Sequence, residues 1–242
     1  MVVLLSAALA ALAQQLKDFS TPTPLPSGST LIVNFLSWGE RSTDEGNPAN
    51  RLAMRLRALE LPGVYVETVG HAKHGDVLSF IKAATGRDTK GRCLAEGCRE
   101  VRLIFYGSGD GSLDLLKTAH ELKPLGLHVA LAVQVSSEGA CGGVIPANVA
   151  RAAAICLDTN WARHHQQIRA EVPTQTQILA NLRLSSEGRW LDISVATPPQ
   201  KPVASPDVEM RIDPLMWNHV EDFILEELHR AGIPGAPAPP PH

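Results

Sequence analysis

Three short, nearly unbroken apolar runs constrain this chain more than any other feature: residues 30–36 (TLIVNFL), 101–106 (VRLIFY) and 128–135 (HVALAVQV). Each is short for a helix, and each lacks the strict alternation of a strand with one wet face. Strands covered on both sides read this way, which points to a parallel sheet between helical layers. The intervening sequence supplies those helices. Asn47-Pro48 reads as a cap and first helical position, with Leu52, Leu56 and Leu59 on one face. A strand at 64–68 and a helix at 74–84 follow, and the third strand runs through Gly107-Ser108-Gly109-Asp110-Gly111 into a helix ending near Leu125. Further strands are expected at 152–157 and 190–195. Asp213-Pro214 is expected to cap a last helix carrying the stripe Trp217, Val220, Ile224 and Leu228. The fold class that results is α/β, a three-layer sandwich with a mostly parallel central sheet.

Residues 29–232 hold that pattern as one domain. Residues 14–28 read as a linker, because the stretch from Ser20 to Ser29 carries three Pro among Thr and Ser. Residues 233–242, with four Pro after the Gly232-Ile233-Pro234 step, read as a disordered tail. Residues 1–13 carry no charge and end in Ala11-Leu12-Ala13, a small-x-small pattern that a signal peptidase cuts, but they lack the positive n-region. Two readings stand for this signal-like segment: export to the periplasm or beyond, or an ordinary N-terminal helix of a cytoplasmic protein. A formal net charge of -3 with no long basic run argues against nucleic acid as a partner. No apolar run approaches the roughly 20 residues of a helical membrane span. With 44% hydrophobic and 19% charged residues, the composition belongs to a folded chain.

Metal chemistry finds little footing. His71, His74 and Asp76 form HxxHxD without a second ligand cluster, and adjacent His164 and His165 point in different directions on any regular element, so solvated loops are expected for both. The segment from Asp88 to Arg92 puts Lys90 and Arg92 where calcium needs oxygen ligands. Cys93 and Cys98 bracket LAEG and would pair in an exported chain or remain thiols in the cytosol; Cys141 and Cys156 complete no zinc spacing. No metal and no cofactor are expected.

The turn FYGSGDG is followed in order by VQVSSEG, VIPANVARAA, IRAEVPTQTQILAN and DPLMWNHVEDFILEEL. Over residues 29–231 this succession resembles a bacterial group of small lipase- and thioesterase-like α/β-hydrolases. The resemblance implies a G-x-S-x-G nucleophile elbow at residues 107–111, with Gly107 and Gly111 as the outer glycines. It puts Gly109 at the nucleophile position, Ser136 at the acid position and Asp207 at the base position, so all three members of a Ser-Asp-His arrangement are replaced. A glycine has no atom to attack a carbonyl, and a carboxylate cannot take the imidazole's part in the same geometry. The N–H of Asp110, after the nucleophile position, would serve an oxyanion, and the carboxylate of the same residue opposes that role.

Neighbouring groups offer alternatives with plainer explanations. Ser108 is a fallback nucleophile, but a serine bonded within its own loop is the plainer reading; Ser112 and Asp213 read as helix caps and His219 as a half-exposed helical histidine. The expectation is a hydrolase-like chain without its triad, a pseudo-hydrolase holding a small apolar or acyl ligand or a protein partner. Ser37, Trp38, Ser108, Gly109 and Asp110 would line that site. An active carboxylic-ester hydrolase using a displaced serine is the alternative, and an envelope interaction module is a third reading.

Overall fold

The computed structural model describes residues 19–71, 73–136, 142–157, 167–184, 190–192 and 206–238; of 157, 184, 190–192 and 206–213 it describes the backbone alone. The signal-like segment, Cys141, His164 and His165 lie outside these residues.

The alternation of apolar runs and helices folds as expected into a three-layer α/β sandwich. Strands β1 (Ser29–Phe35), β2 (Val64–Val69), β3 (Val101–Ser108), β4 (Val129–Ser136), β6 (Val149–Leu157) and β8 (Gln177–Leu184) are parallel, in the order β2-β1-β3-β4-β6-β8. Strand β9 (Trp190–Asp192) adds antiparallel to the β8 edge, and β5 (Gly143–Ile145) pairs with β7 (Ile168–Ala170) in a separate two-stranded sheet. The strand expected at 190–195 is thus described at 190–192, and residues 193–195 fall outside. Strand β8 was not anticipated, because Gln177, Asn181 and Arg183 interrupt its apolar pattern.

Side chains of each strand alternate between the two faces. Leu31, Val33 and Phe35 of β1 join Leu103 and Phe105 of β3 under helices α2 (His74–Ala84) and α3 (Asp110–Leu122). Ile32, Ile104 and Tyr106 face the opposite layer, α1 (Pro48–Ala58) and α4 (Pro206–Arg230). Asn47 caps α1 as its sequence suggests, its side chain accepting from the Asn50 N–H at 3.1 Å. The stripe on α4 is buried, with Trp217 edge-on to Tyr106 at 6.2 Å between ring centroids. The Tyr106 hydroxyl donates to the Ala49 carbonyl at 3.3 Å, and burial pushes its pKa up.

Three expectations at the ends are corrected. Helix α4 begins at Pro206, so Asp213 is not its cap and Pro214 lies inside it. Residues 19–28 are not a linker: Phe19 stacks on Phe80 at 4.1 Å, Leu25 is 1% exposed, and Ser20 and Thr21 donate to the buried Glu67 carboxylate at 3.0 and 2.6 Å. Those contacts anchor the segment, because a buried carboxylate requires donors. The tail also starts as packed structure, with Ile233 and Ala236 against the α1/α4 layer. No helix among the described residues is long and apolar enough to cross a membrane.

At the amino ends of the strands, Glu227 of α4 is buried between two arginines. It accepts from Arg102 at 2.9 Å and from Arg151 at 2.7 Å, while Arg151 also reaches Glu226 at 2.7 Å. The opposite, carboxyl ends carry the candidate site.

Candidate functional site

From β1 the chain moves to β2 on one side of the sheet and then to β3 on the other. In such a sheet a crevice opens at the carboxyl ends of the two strands that flank the reversal, where ligands of open α/β proteins sit. Here those strands are β1 and β3, and the loops after them are residues 36–47 and the turn at 107–111.

The turn is sharp. Gly109 has φ 50° and ψ -123°; the φ is positive, but the ψ is far from the left-handed helical well, so a side chain there is strained. A Cβ on Gly107 would lie 2.8 Å from the Gly111 carbonyl oxygen, and one on Gly111 would run into the Phe35 carbonyl. The outer glycines therefore let α3 start directly against β1 and β3, as their spacing implies. Two contacts hold the turn to the next strand, from the Gly109 N–H to the Val135 carbonyl at 2.9 Å and from Ser112 Oγ to the same carbonyl at 3.2 Å, and the Ser112 hydroxyl shares its proton with the nearer Gly107 carbonyl at 2.7 Å. Ser112 thus pins the turn and is not a helix cap.

The space over the apex is filled by the β1 loop. A Cβ at position 109 would lie 2.5 Å from Ser37 Oγ and 3.2 Å from Ser37 Cβ. The Asp110 N–H, which follows the apex, donates to Ser37 Oγ at 3.3 Å. The Ser37 N–H donates to Glu40 Oε2 at 2.6 Å, and Ser108 Oγ donates to the same oxygen at 3.1 Å. Ser37, Glu40 and Ser108 are half-buried and Asp110 is exposed.

The structure brings together Ser37, Ser108, Gly109 and Asp110 of the five expected ligand-binding residues. Trp38 is 78% exposed and leaves the cluster for solvent. Ser108 is not bonded within its own loop; its partner lies 68 residues earlier in the chain. Ser136 is the buried last residue of β4, one position beyond the pairing of Ser108 with Val135. Asp207 sits in the first turn of α4 rather than in a loop, and its side chain is not described. Among the described residues, no imidazole hydrogen-bonds to Ser37, Glu40 or Ser108. His219 is half-buried on α4. Glu40 was missed by sequence reasoning, since nothing in the order of residues pairs it with Ser108.

A polar cavity of about 140 Å³ opens at the carboxyl end of β2, lined in part by Ser42, Thr68, Lys73 and Asp76. His71 and His74, expected on a solvated loop, instead lie against carboxylates of α3. His71 Nδ1 approaches Asp114 Oδ2 at 3.0 Å, though the ring N–H is not aligned for a hydrogen bond, and His74 Nε2 lies 3.9 Å from Glu121 Oε1. Among the described residues, no group of three or more His, Cys, Asp or Glu converges as metal ligands would. The Asp88 carboxylate is occupied by its own loop: the backbone N–H groups of Arg92 and Lys90 and the Arg92 guanidinium bond it, and they hold its pKa below the usual range. Cys93 and Cys98 form a disulfide, and Cys156 is disulfide-bonded as well.

Chemically, the arrangement has an elbow-shaped turn with no nucleophile at its apex. The Asp110 N–H is already bonded within the chain, and the Ser108 hydroxyl donates a hydrogen bond to the Glu40 carboxylate. No protein-family model, no curated protein and no solved structure matches this chain.

Proposed function

We propose that this chain is an α/β-hydrolase-like protein that does not hydrolyse, and that it acts by binding a small acyl or apolar ligand or a protein partner at the crevice between β1 and β3. The observation that carries the reading is the filled apex: Gly109 supplies no nucleophile, and Ser37 Oγ sits where a side chain there would have to go. Hydrolysis by a triad requires a hydroxyl, an imidazole to take its proton and free donors for the oxyanion. Loss of triad members costs several orders of magnitude in rate, with effects that do not add.

The deciding experiment is an assay on p-nitrophenyl acetate, butyrate and octanoate with purified protein. The expected result is release no faster than an equal concentration of an inert protein. Turnover that disappears in Ser108→Ala sinks the proposal. That outcome belongs to a second reading, an ester hydrolase using Ser108, which rests on the 3.1 Å contact from its hydroxyl to Glu40. Covalent labelling by a fluorophosphonate, lost in the same variant, supports it.

The paired cysteines support the export reading of the chain, since disulfides persist in oxidising compartments and are rare in the cytosol. An envelope protein that binds its ligand or partner outside the cytoplasm fits both observations. Fractionation that finds the protein only in the cytoplasm removes this part of the proposal.

A further inference from the structure

We infer that Glu40 is a built-in plug: its carboxylate occupies a monocarboxylate-binding site in the β1/β3 crevice, and the site opens when that carboxylate leaves. The inference rests on the crevice being a binding site, as proposed above, and adds what it binds and what closes it.

Two donors from separate strand ends converge on one oxygen atom. The Ser37 N–H, two residues past β1, lies 2.6 Å from Glu40 Oε2, and the Ser108 hydroxyl, the last residue of β3, lies 3.1 Å from it. The first contact alone would be an ordinary turn, because the two residues are three apart. The second is not local, since 68 residues separate Ser108 from Glu40. A further donor, the Asp110 N–H, opens a 13-residue helix and is held only by a 3.3 Å bond to Ser37 Oγ. Hydrogen bonds to an ionised acceptor are about twice as strong as neutral ones, so these donors suit a carboxylate oxygen. The chain supplies that oxygen itself.

Covalent attachment makes the plug hard to displace. A group tethered by a short loop acts at an effective concentration on the order of millimolar or more, which an outside acid must exceed to compete. The exposed Asp110 carboxylate beside the turn adds repulsion against an incoming anion. The wild-type crevice is therefore closed to free acids. The ligand class follows from the donors: one carboxylate group, with its chain directed out of the crevice.

The test is a titration of the full-length ¹⁵N-labelled protein with sodium hexanoate, following amide shifts. Glu40→Ala is expected to show saturable shifts at Gly109 and Asp110, with binding at least about tenfold tighter than wild type. Adding Ser108→Ala to that variant should weaken the new binding several-fold. Three results overturn the inference: no shifts at those amides in a well-dispersed Glu40→Ala spectrum, equal binding by wild type and variant, or equal shifts with hexanol, which lacks the carboxylate. If Glu40→Ala does not fold, Glu40→Gln keeps the side-chain size and removes the charge. It is expected to bind more tightly than wild type, and equality overturns the inference as well. This titration reads binding alone, so ester turnover would overturn the proposed function without deciding the plug, and a silent titration would do the reverse.

Discussion

Placing a methyl group on Gly109 tests how the apex is filled. Gly109→Ala faces two separate costs. The backbone at φ 50°, ψ -123° is sparsely populated for any residue with a side chain, which costs about 1–3 kcal/mol. The new Cβ also meets Ser37 Oγ at 2.5 Å. That atom ends a short side chain and can rotate away, so the contact is not prohibitive. Rotation does break the bond from the Asp110 N–H, worth about 0.5–1.5 kcal/mol. In Ser37→Ala the obstructing oxygen and its bond are already gone, and the remaining Cβ contact of 3.2 Å yields with a small shift. Gly109→Ala should therefore cost about 2–4 kcal/mol in wild type and about 1–3 in the Ser37→Ala background, a coupling near 1 kcal/mol. Urea unfolding followed by far-UV circular dichroism measures all four corners, provided the denaturant slopes agree. Additivity within about 0.3 kcal/mol would show that Ser37 does not fill the apex. Gly111→Ala provides the contrast. Its obstacle is the Phe35 backbone carbonyl, which cannot rotate away, so its cost should reach about 3 kcal/mol and stay the same in Ser37→Ala.

At the other end of the strands, Glu227→Ala leaves Arg102 and Arg151 short of a buried partner and should cost about 3–5 kcal/mol in the same urea experiment. Cys93, Cys98 and Cys156 should resist iodoacetamide until the protein is reduced, as read by peptide mass. Replacing both Cys93 and Cys98 with serine should cost about 2 kcal/mol, as a short closed loop implies. Glu171 has its pKa lowered first by the hydrogen bond from Lys123 and then by the Ala147 N–H. Its contribution to stability is thus present above the unfolded carboxyl's pKa and lost as pH falls through the folded one. Carboxyl NMR titration should show the Glu171 midpoint rising in Lys123→Met; no change would remove the assigned cause.

The layers of this fold were legible because burial on both faces leaves a mark on consecutive residues. β1, β3 and β4 are mostly apolar, interrupted by single polar residues such as Asn34, Arg102 and Gln134, and each lies inside the sheet with neighbours on both edges. β8 was missed for the opposite reason. It lies toward one edge and carries Asn181 and Arg183, so its pattern does not announce a strand. Helix α4 begins eight residues before Pro214, although Asp213-Pro214 has the look of a start. A proline removes one N–H, a loss that neighbouring contacts can offset, so Asp-Pro marks a helix start only by tendency. The prolines of residues 19–28 suggest a linker and obscure the anchoring role of Phe19 and Leu25, which depends on Phe80 and the core far along the chain.

The site divides along the same line. The turn itself was readable, since Gly107, Gly109 and Gly111 are close in sequence; Gly107 and Gly111 answer steric needs within the turn or against β1, and Gly109 one against Ser37 in the loop that follows that strand. Its content was not, because Ser37 and Glu40 act on residues 68 to 73 positions away. This separation bears on what the turn's survival means. The strained backbone at the apex is inexpensive for glycine, which reaches positive φ without a Cβ penalty, so keeping that shape needs no catalytic reason. A serine there would carry both the backbone strain and the contact with Ser37, and only a catalytic use would offset them. An elbow-like shape in this chain is therefore weak support for hydrolysis, whereas the side chains that occupy it are specific. Ser37 Oγ accepts from the Asp110 N–H, and Glu40 Oε2 accepts from the Ser37 N–H and the Ser108 hydroxyl, so an outside oxygen that used those donors would first have to displace them.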